Sequence, residues 1–167
     1  DCMPHLLDEK NVQMLTGHKV FSEAELKSRC EIMLENYCKT VLIEANTMID
    51  MAKTEIAPAV SAYVLELANT AAAKKAVDAA IPCSYEVELL KKLARLEEQI
   101  AVKADELEET VMKLQDAGDI EAESYRIRDV VLSKMGELRV ACDEAEIMTA
   151  KKYWPFPTYG DLLFGVK

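Results

Sequence analysis

Two histidines, five cysteines and thirty carboxylates are the residues that could do chemistry in this 167-residue sequence. Their spacing limits what that chemistry is. Cys2-Met3-Pro4-His5 has the letters of a metal half-site. A structural zinc takes four ligands, and no second cluster supplies the other half. Di-iron helical bundles use Glu-x-x-His on two helices, which puts both side chains inward one turn apart. Cys2 stands three residues before His5 and Leu15 three before His18, so that motif is missing at both histidines. The same scarcity leaves Ser-His-Asp and Cys-His triads little to build from. There is no GxxxxGK[ST] loop and no GxGxxG, and the five glycines are scattered. Glu97-Glu98 and Glu106-Leu107-Glu108-Glu109, with Arg95 and lysines nearby, read as solvated helix faces rather than acid–base pairs. No catalytic, cofactor-binding or metal-ligating residue is assigned on these grounds.

The cysteines Cys2, Cys30, Cys38, Cys83 and Cys142 are odd in number and widely spaced. That argues against a secreted disulfide framework and for the cytoplasm. Cys30, Cys38 and Cys142 fall inside helical patterns and read as small buried hydrophobes. The formal net charge is −10, and the basic doublets Lys74-Lys75, Lys91-Lys92 and Lys151-Lys152 all have carboxylates close by. Nucleic acid is therefore not an expected partner, and an anionic membrane surface would repel the chain. The longest uncharged run, Ile56 to Leu65, is short of the roughly 20 apolar residues of a membrane span. The opening Asp1-Cys2-Met3-Pro4 reads as cut from something longer.

The elements that must position these residues are helices. Half the sequence is hydrophobic, with only five glycines and five prolines, a composition unsuited to a turn-rich β-sandwich. The expected fold is all-α, an antiparallel bundle of long helices. Residues 1–21 form an irregular lead-in, 22–152 the bundle, and 153–167 an extended aromatic tail. Ser22 and Glu25 make a capping box that opens a helix over about 22–80. Its stripe is Leu34, Cys38, Leu42, Ala45, Ile49, Ala52, Ile56, Ala59, Tyr63 and Leu67. The stripe continues through Pro58, so a kink is expected there rather than an end. Ser84 caps a second helix, 84–117, with Leu89, Leu93, Leu96, Ile100, Leu107, Val111 and Leu114 as its seam. Gly118 stops it, and Asp119 caps a third helix, 119–152, with Ile120, Ile127, Val131, Leu138, Cys142 and Ala145 inward. So short a turn makes the last two helices antiparallel neighbours.

Two features exceed a plain bundle. A second semi-apolar face on the first long helix carries Tyr37, Val41, Glu44, Met48, Met51 and Glu55. It serves either as a wider core face or as a docking surface, with Tyr37, Glu44, Met48 and Met51 as the candidates. The tail Tyr153-Trp154-Pro155-Phe156-Pro157-Thr158-Tyr159 with Leu162-Leu163-Phe164 holds the only tryptophan. So apolar a segment is expected to pack on the bundle or on a neighbour, with Trp154, Phe156, Tyr159 and Phe164 as docking residues and Trp154 as the anchor.

The sequence resembles the C-terminal helical region of type III glutamine synthetase, the large bacterial form of that enzyme. The resemblance rests on Phe21-Ser22 with Glu25-Leu26 and Ser28-Arg29; on Glu35-Asn36-Tyr37-Cys38-Lys39-Thr40; and on Ile43-Glu44-Ala45 with Thr47-Met48-Ile49-Asp50-Met51-Ala52. Ile56-Ala57-Pro58-Ala59 with Tyr63 extends it, and Lys152-Tyr153-Trp154-Pro155-Phe156-Pro157-Thr158-Tyr159 with Leu162-Leu163-Phe164 closes it. It implies a parent enzyme that joins ammonia to glutamate using ATP and Mg or Mn, assembled as a large homo-oligomer. It also implies that a missing upstream catalytic domain and neighbouring subunits are this chain's partners. No catalytic residue of that family matches a position here, so the chain itself is expected to be non-catalytic, with a structural or docking task. The alternative is an independent helical adaptor or co-chaperone-like module.

Overall fold

The structure is a computed structural model, and it describes residues 2–114, 119–157 and 159–165. Among these residues there are helices and no strand, so the all-α expectation holds. Helix α1 spans Glu9–Gly17 and α2 Glu23–Met51; a π turn, Ala52–Ile56, leads into α3, Ala57–Val77. Helix α4 spans Ser84–Leu114, and α5 Ile120–Arg126 passes through a second π turn, Ile127–Val131, into α6, Leu132–Met148. A six-residue helix, α7, covers Tyr159–Phe164.

The start of α2 follows from the capping box. Ser22 N donates to Glu25 Oε2 at 2.7 Å, and Glu25 N donates back to Ser22 Oγ at 3.3 Å. These reciprocal bonds use backbone donors that have no partner inside the helix. Asp119 likewise accepts from Glu121 N at 3.1 Å and caps α5. The expected cap at Ser84 is displaced by one residue. The carbonyl of Cys83 accepts the first intrahelical bond, from Val87 N, so Ser84 is already inside the helix. The lead-in is not irregular. Pro4–Leu7 forms a 3₁₀ turn, and Asp8 O then accepts from Asn11 N and Val12 N to start α1. The first long helix stops at Val77 rather than near 80, because Asp78 turns extended and its carboxylate takes the Ala80 N–H. The third stops at Met148 rather than 152, where Tyr153 N bonds to Ala150 O in a turn. The expected turn at Ala117-Gly118 lies outside the described residues.

Pro58 is the second residue of α3, and helical backbone continues on both sides of it. The π turn just before it carries a five-residue bond, from Ala57 N to Ala52 O. It widens the helix where the proline brings no N–H and needs clearance from the preceding turn. The same turn corrects the phase of the stripe. Ala52, Ile56 and Val60 are buried at successive gaps of four. In a pure α-helix each such gap carries the side chain about 40° past the previous one. One extra residue per turn cancels that drift, and Ile127 and Val131 are buried four apart in the second π turn.

The chain forms two compact units. The first comprises residues 1–46 and 109–133. Its core is Leu26, Cys30, Leu34, Cys38, Val41 and Ala45 with Val111, Leu114, Ile127 and Val131. Cys30 Sγ donates to Met3 O at 3.4 Å, which ties the lead-in to α2. The second unit comprises residues 47–108 and 134–167. Ile49, Ala52, Ile56, Val60 and Leu67 pack there with Leu93, Leu96, Ile100, Ala104 and Leu107, and with Leu138, Ala141, Cys142 and Ala145. Cross-helix ion pairs give its directions. Lys53 meets Asp105 and Glu108 while Lys74 meets Glu86, so α4 runs against α3. Lys103 meets Glu137 while Lys134 meets Glu106, so α6 runs against α4. The stretch Glu23–Val77 is also long and apolar enough, by length and composition alone, to cross a membrane, a test that core helices of bundles pass too.

Gly136 sits inside α6 with open space where a Cβ would project. Helix-interior glycine is less favourable than alanine by about 0.8–1.0 kcal/mol. Gly136→Ala is expected to stabilise the chain by most of that amount, seen as a higher urea midpoint with an unchanged slope.

Candidate docking site

The candidate docking residues separate into three environments. Tyr37 and Glu44 belong to the first unit. Tyr37 is half-buried and lies within electrostatic reach of Arg128, whose guanidinium stacks 4.9 Å from the Tyr125 ring centroid. Glu44 faces solvent, while Val41 of the same expected face is in the core. Met48 and Met51, in the second unit, are half-buried. The face is therefore partly core and partly open.

Where the tail leaves α6, polar contacts to α3 come just before the expected tryptophan. Lys152 Nζ donates to both carboxylate oxygens of Glu66, at 2.6 and 2.9 Å, and Tyr153 OH donates to Glu66 Oε2. The Tyr153 ring lies 5.4 Å from that of Tyr63, and the Lys152 ammonium sits 4.8 Å from the Tyr153 centroid. Both donors hold the Glu66 carboxyl below its usual range, Lys152 most strongly. The bond to Glu66 raises Tyr153, and burial raises Tyr63. Lys152 was legible as the end of the third helix and Tyr153 as the start of the tail, but Glu66 was not. A lone glutamate on an alanine-rich helix carries no signal for a partner 86 residues away. These groups border a shallow groove of about 490 Å³ lined by Ala62, Leu65, Asn69, Thr70 and Ala73.

Beyond Tyr153 the tail departs from an extended strap. Trp154 and Phe156 are half-buried and stack edge-on at 6.2 Å. After Pro157 the chain turns helical in α7, where Leu162, Leu163 and Phe164 are 67, 71 and 82 % exposed. Local backbone bonding prevails once the two prolines are passed. Lys151 Nζ holds Asp161 at 2.7 Å across this segment.

The thiols behave as the packing dictates. Burial pushes Cys142 up to about 11 and raises Cys30 and Cys38 as well, so these three stay protonated and unreactive. Among the described residues, no group of three or more His, Cys, Asp or Glu comes together to hold a metal ion. Asp105 and Glu108, the two carboxylates that converge, are engaged by Lys53 at 2.6 and 2.5 Å.

Residues 1–75 match the glutamine synthetase C-terminal domain family. That match takes in the first 75 of the 167 residues. Over its whole length the chain is 33% identical to a glutamine synthetase from Butyrivibrio fibrisolvens, of which it covers 24%. It is 24% identical to the type-3 glutamine synthetase of Dictyostelium discoideum over 98% of the chain and 23% of that protein. A Bacteroides fragilis glutamine synthetase is 25% identical over the same shares, 98% and 23%. The chain thus spans about a quarter of the length of the curated relatives it matches, and it matches their C-terminal portions. The domain match takes in the capping box, all of α2 and the π turn at Pro58, while the tail is matched through the relatives.

Two outcomes follow from this geometry. Thr149 is 7 % exposed, and its Oγ1 has no hydrogen-bond partner among the described residues. Thr149→Val removes that buried hydroxyl at constant shape and is expected to stabilise by about 1 kcal/mol in a denaturant melt. Glu66, Glu86 and Glu137 are each held below their usual range by a lysine. Depressed carboxyls contribute stability that is present above their unfolded-state value and lost as pH falls through the folded one. The thermal midpoint is therefore expected to drop as pH falls from about 5 toward 3, and 1 M NaCl is expected to shrink the drop.

Proposed function

We propose that this chain serves as the C-terminal helical docking region of a type III glutamine synthetase, a cytoplasmic homo-oligomer that joins ammonia to glutamate at the expense of ATP. The observation that carries the reading is the end-to-end similarity to the final quarter of such proteins. ATP and Mg or Mn belong to the rest of that enzyme. The residues described here do not fit a site for either, since they offer no glycine-rich phosphate cradle and no cluster of three ligands. The odd number and wide spacing of the cysteines support a reducing compartment.

The role supported for the helices is attachment. Ile43, Leu65, Ile147 and Phe164 are each more than 60 % exposed, at 66, 62, 84 and 82 %. Where such side chains form one contiguous patch they mark contacts with other protein. The upstream catalytic part of the same polypeptide and neighbouring subunits are the partners proposed for them. Charge sets a further condition, because a net −10 favours partner surfaces with matching basic groups.

The test is co-expression of this chain with the upstream part of its own reading frame, each on a separate message. The two are expected to co-purify, with glutamine formed from glutamate, ammonia and ATP only by the complex or by the upstream part. This chain alone is expected to give no turnover above blank. An upstream part that is fully active and fully assembled without this chain would sink the docking role. A reading frame that begins close to Asp1 would favour the independent adaptor instead.

A further inference from the structure

Among the described residues, one carboxylate, Glu66, takes the polar bonds that join the tail's root to helix α3. Glu66 lies 86 and 87 residues from its two partners, and it takes two bonds from Lys152 and one from Tyr153. The flanking contacts are apolar or diffuse. Tyr63 stacks on the Tyr153 ring, and Lys152 lies over that ring. Past this point Pro155 and Pro157 limit what the backbone can bond to, and the terminal Leu162, Leu163 and Phe164 stay exposed. The root is clasped to α3, and the tip is tied back to Lys151 through Asp161.

We propose that Glu66 is the release point of the C-terminal segment, a clasp whose loss frees Tyr153 and the residues after it while the helices stay folded. Removing its charge takes away both lysine bonds' ionic character and weakens the Tyr153 hydrogen bond, which is stronger to a charged acceptor. Nothing in the core of the second unit changes, because Glu66 lies on the open side of α3, with Val60 and Leu67 in the core. A released root would also uncover the groove at Leu65, Asn69 and Ala73 that Tyr153 borders. The inference rests on the geometry of this chain alone and stands whether or not the synthetase reading does.

Trp154 follows the clasp directly and is the only tryptophan, so its emission reports the root. Acrylamide quenching of the 167-residue chain is the measurement, with far-UV circular dichroism recorded on the same samples. Glu66→Gln and Tyr153→Phe are each expected to raise the quenching constant about twofold with the helix signal unchanged, as local opening does. The paired exchange Glu66→Lys with Lys152→Glu restores an ion pair and is expected to recover part of the protection. Quenching that is unchanged in both single variants would overturn the proposal. So would a loss of protection that tracks a loss of helix signal, or a paired exchange as accessible as Glu66→Gln.

Discussion

A helical stretch of 55 residues must keep its apolar side chains on one side, and 3.6 residues per turn works against any regular spacing that does so. Gaps of three and four average out over short distances and drift over long ones. Helix α2 buries Leu26, Cys30, Leu34 and Cys38 at fours, then Val41, Ala45 and Ile49 at mixed gaps of three and four. From Ala52 the next buried residues, Ile56 and Val60, come at fours, and there the backbone opens into a π turn. The third helix meets the same demand at Ile127 and Val131 with the same device. The cross-helix lysine pairs, the buried thiols and the tail's starting point depend on that phase. If the face rotated, Lys53 would no longer point at Asp105 and Glu108.

Much of this was readable because helix chemistry is local. The Ser22–Glu25 box, the Asp119 cap and the inward cysteines are each set by a few neighbouring residues, and the structure reproduces them. The α1 helix was hidden behind Pro4 and Gly17, which read as loop punctuation although one starts a 3₁₀ turn and the other ends a helix. The π turns were illegible for a different reason. No residue type prefers them, and Pro58 signals only that something must give nearby. Ala104 and Ala141 in the core were missed because small residues contribute little to a hydrophobic pattern, yet they allow close approach of helices.

Docking residues were less legible than the fold. Tyr37, Met48 and Met51 stand half-buried, which serves a core and a contact equally. Aromatic content pointed to Trp154 as the tail's anchor, because burying a large ring is favourable. The structure fixes the tail one residue earlier, through a charge-assisted bond that no apolar pattern forecasts. Sequence periodicity reports which side of a helix is dry. It says nothing about which exposed carboxylate meets a lysine from a distant part of the chain.

That difference bears on how such a domain can attach to anything. An apolar anchor buried in its own bundle would leave the tail's hydrophobic residues unavailable to a partner. A polar clasp at the root does the opposite: it fixes the direction in which the segment leaves the bundle and leaves Leu162, Leu163 and Phe164 outside. Exposed surface pairs of this sort contribute little to global stability. Their effect is on geometry, since holding the root reduces the conformations that the tip must give up on binding. The same logic explains the separation of labour along the chain. Helices with a strict apolar phase supply rigidity, and the one segment freed from that phase by Pro155 and Pro157 presents the surface.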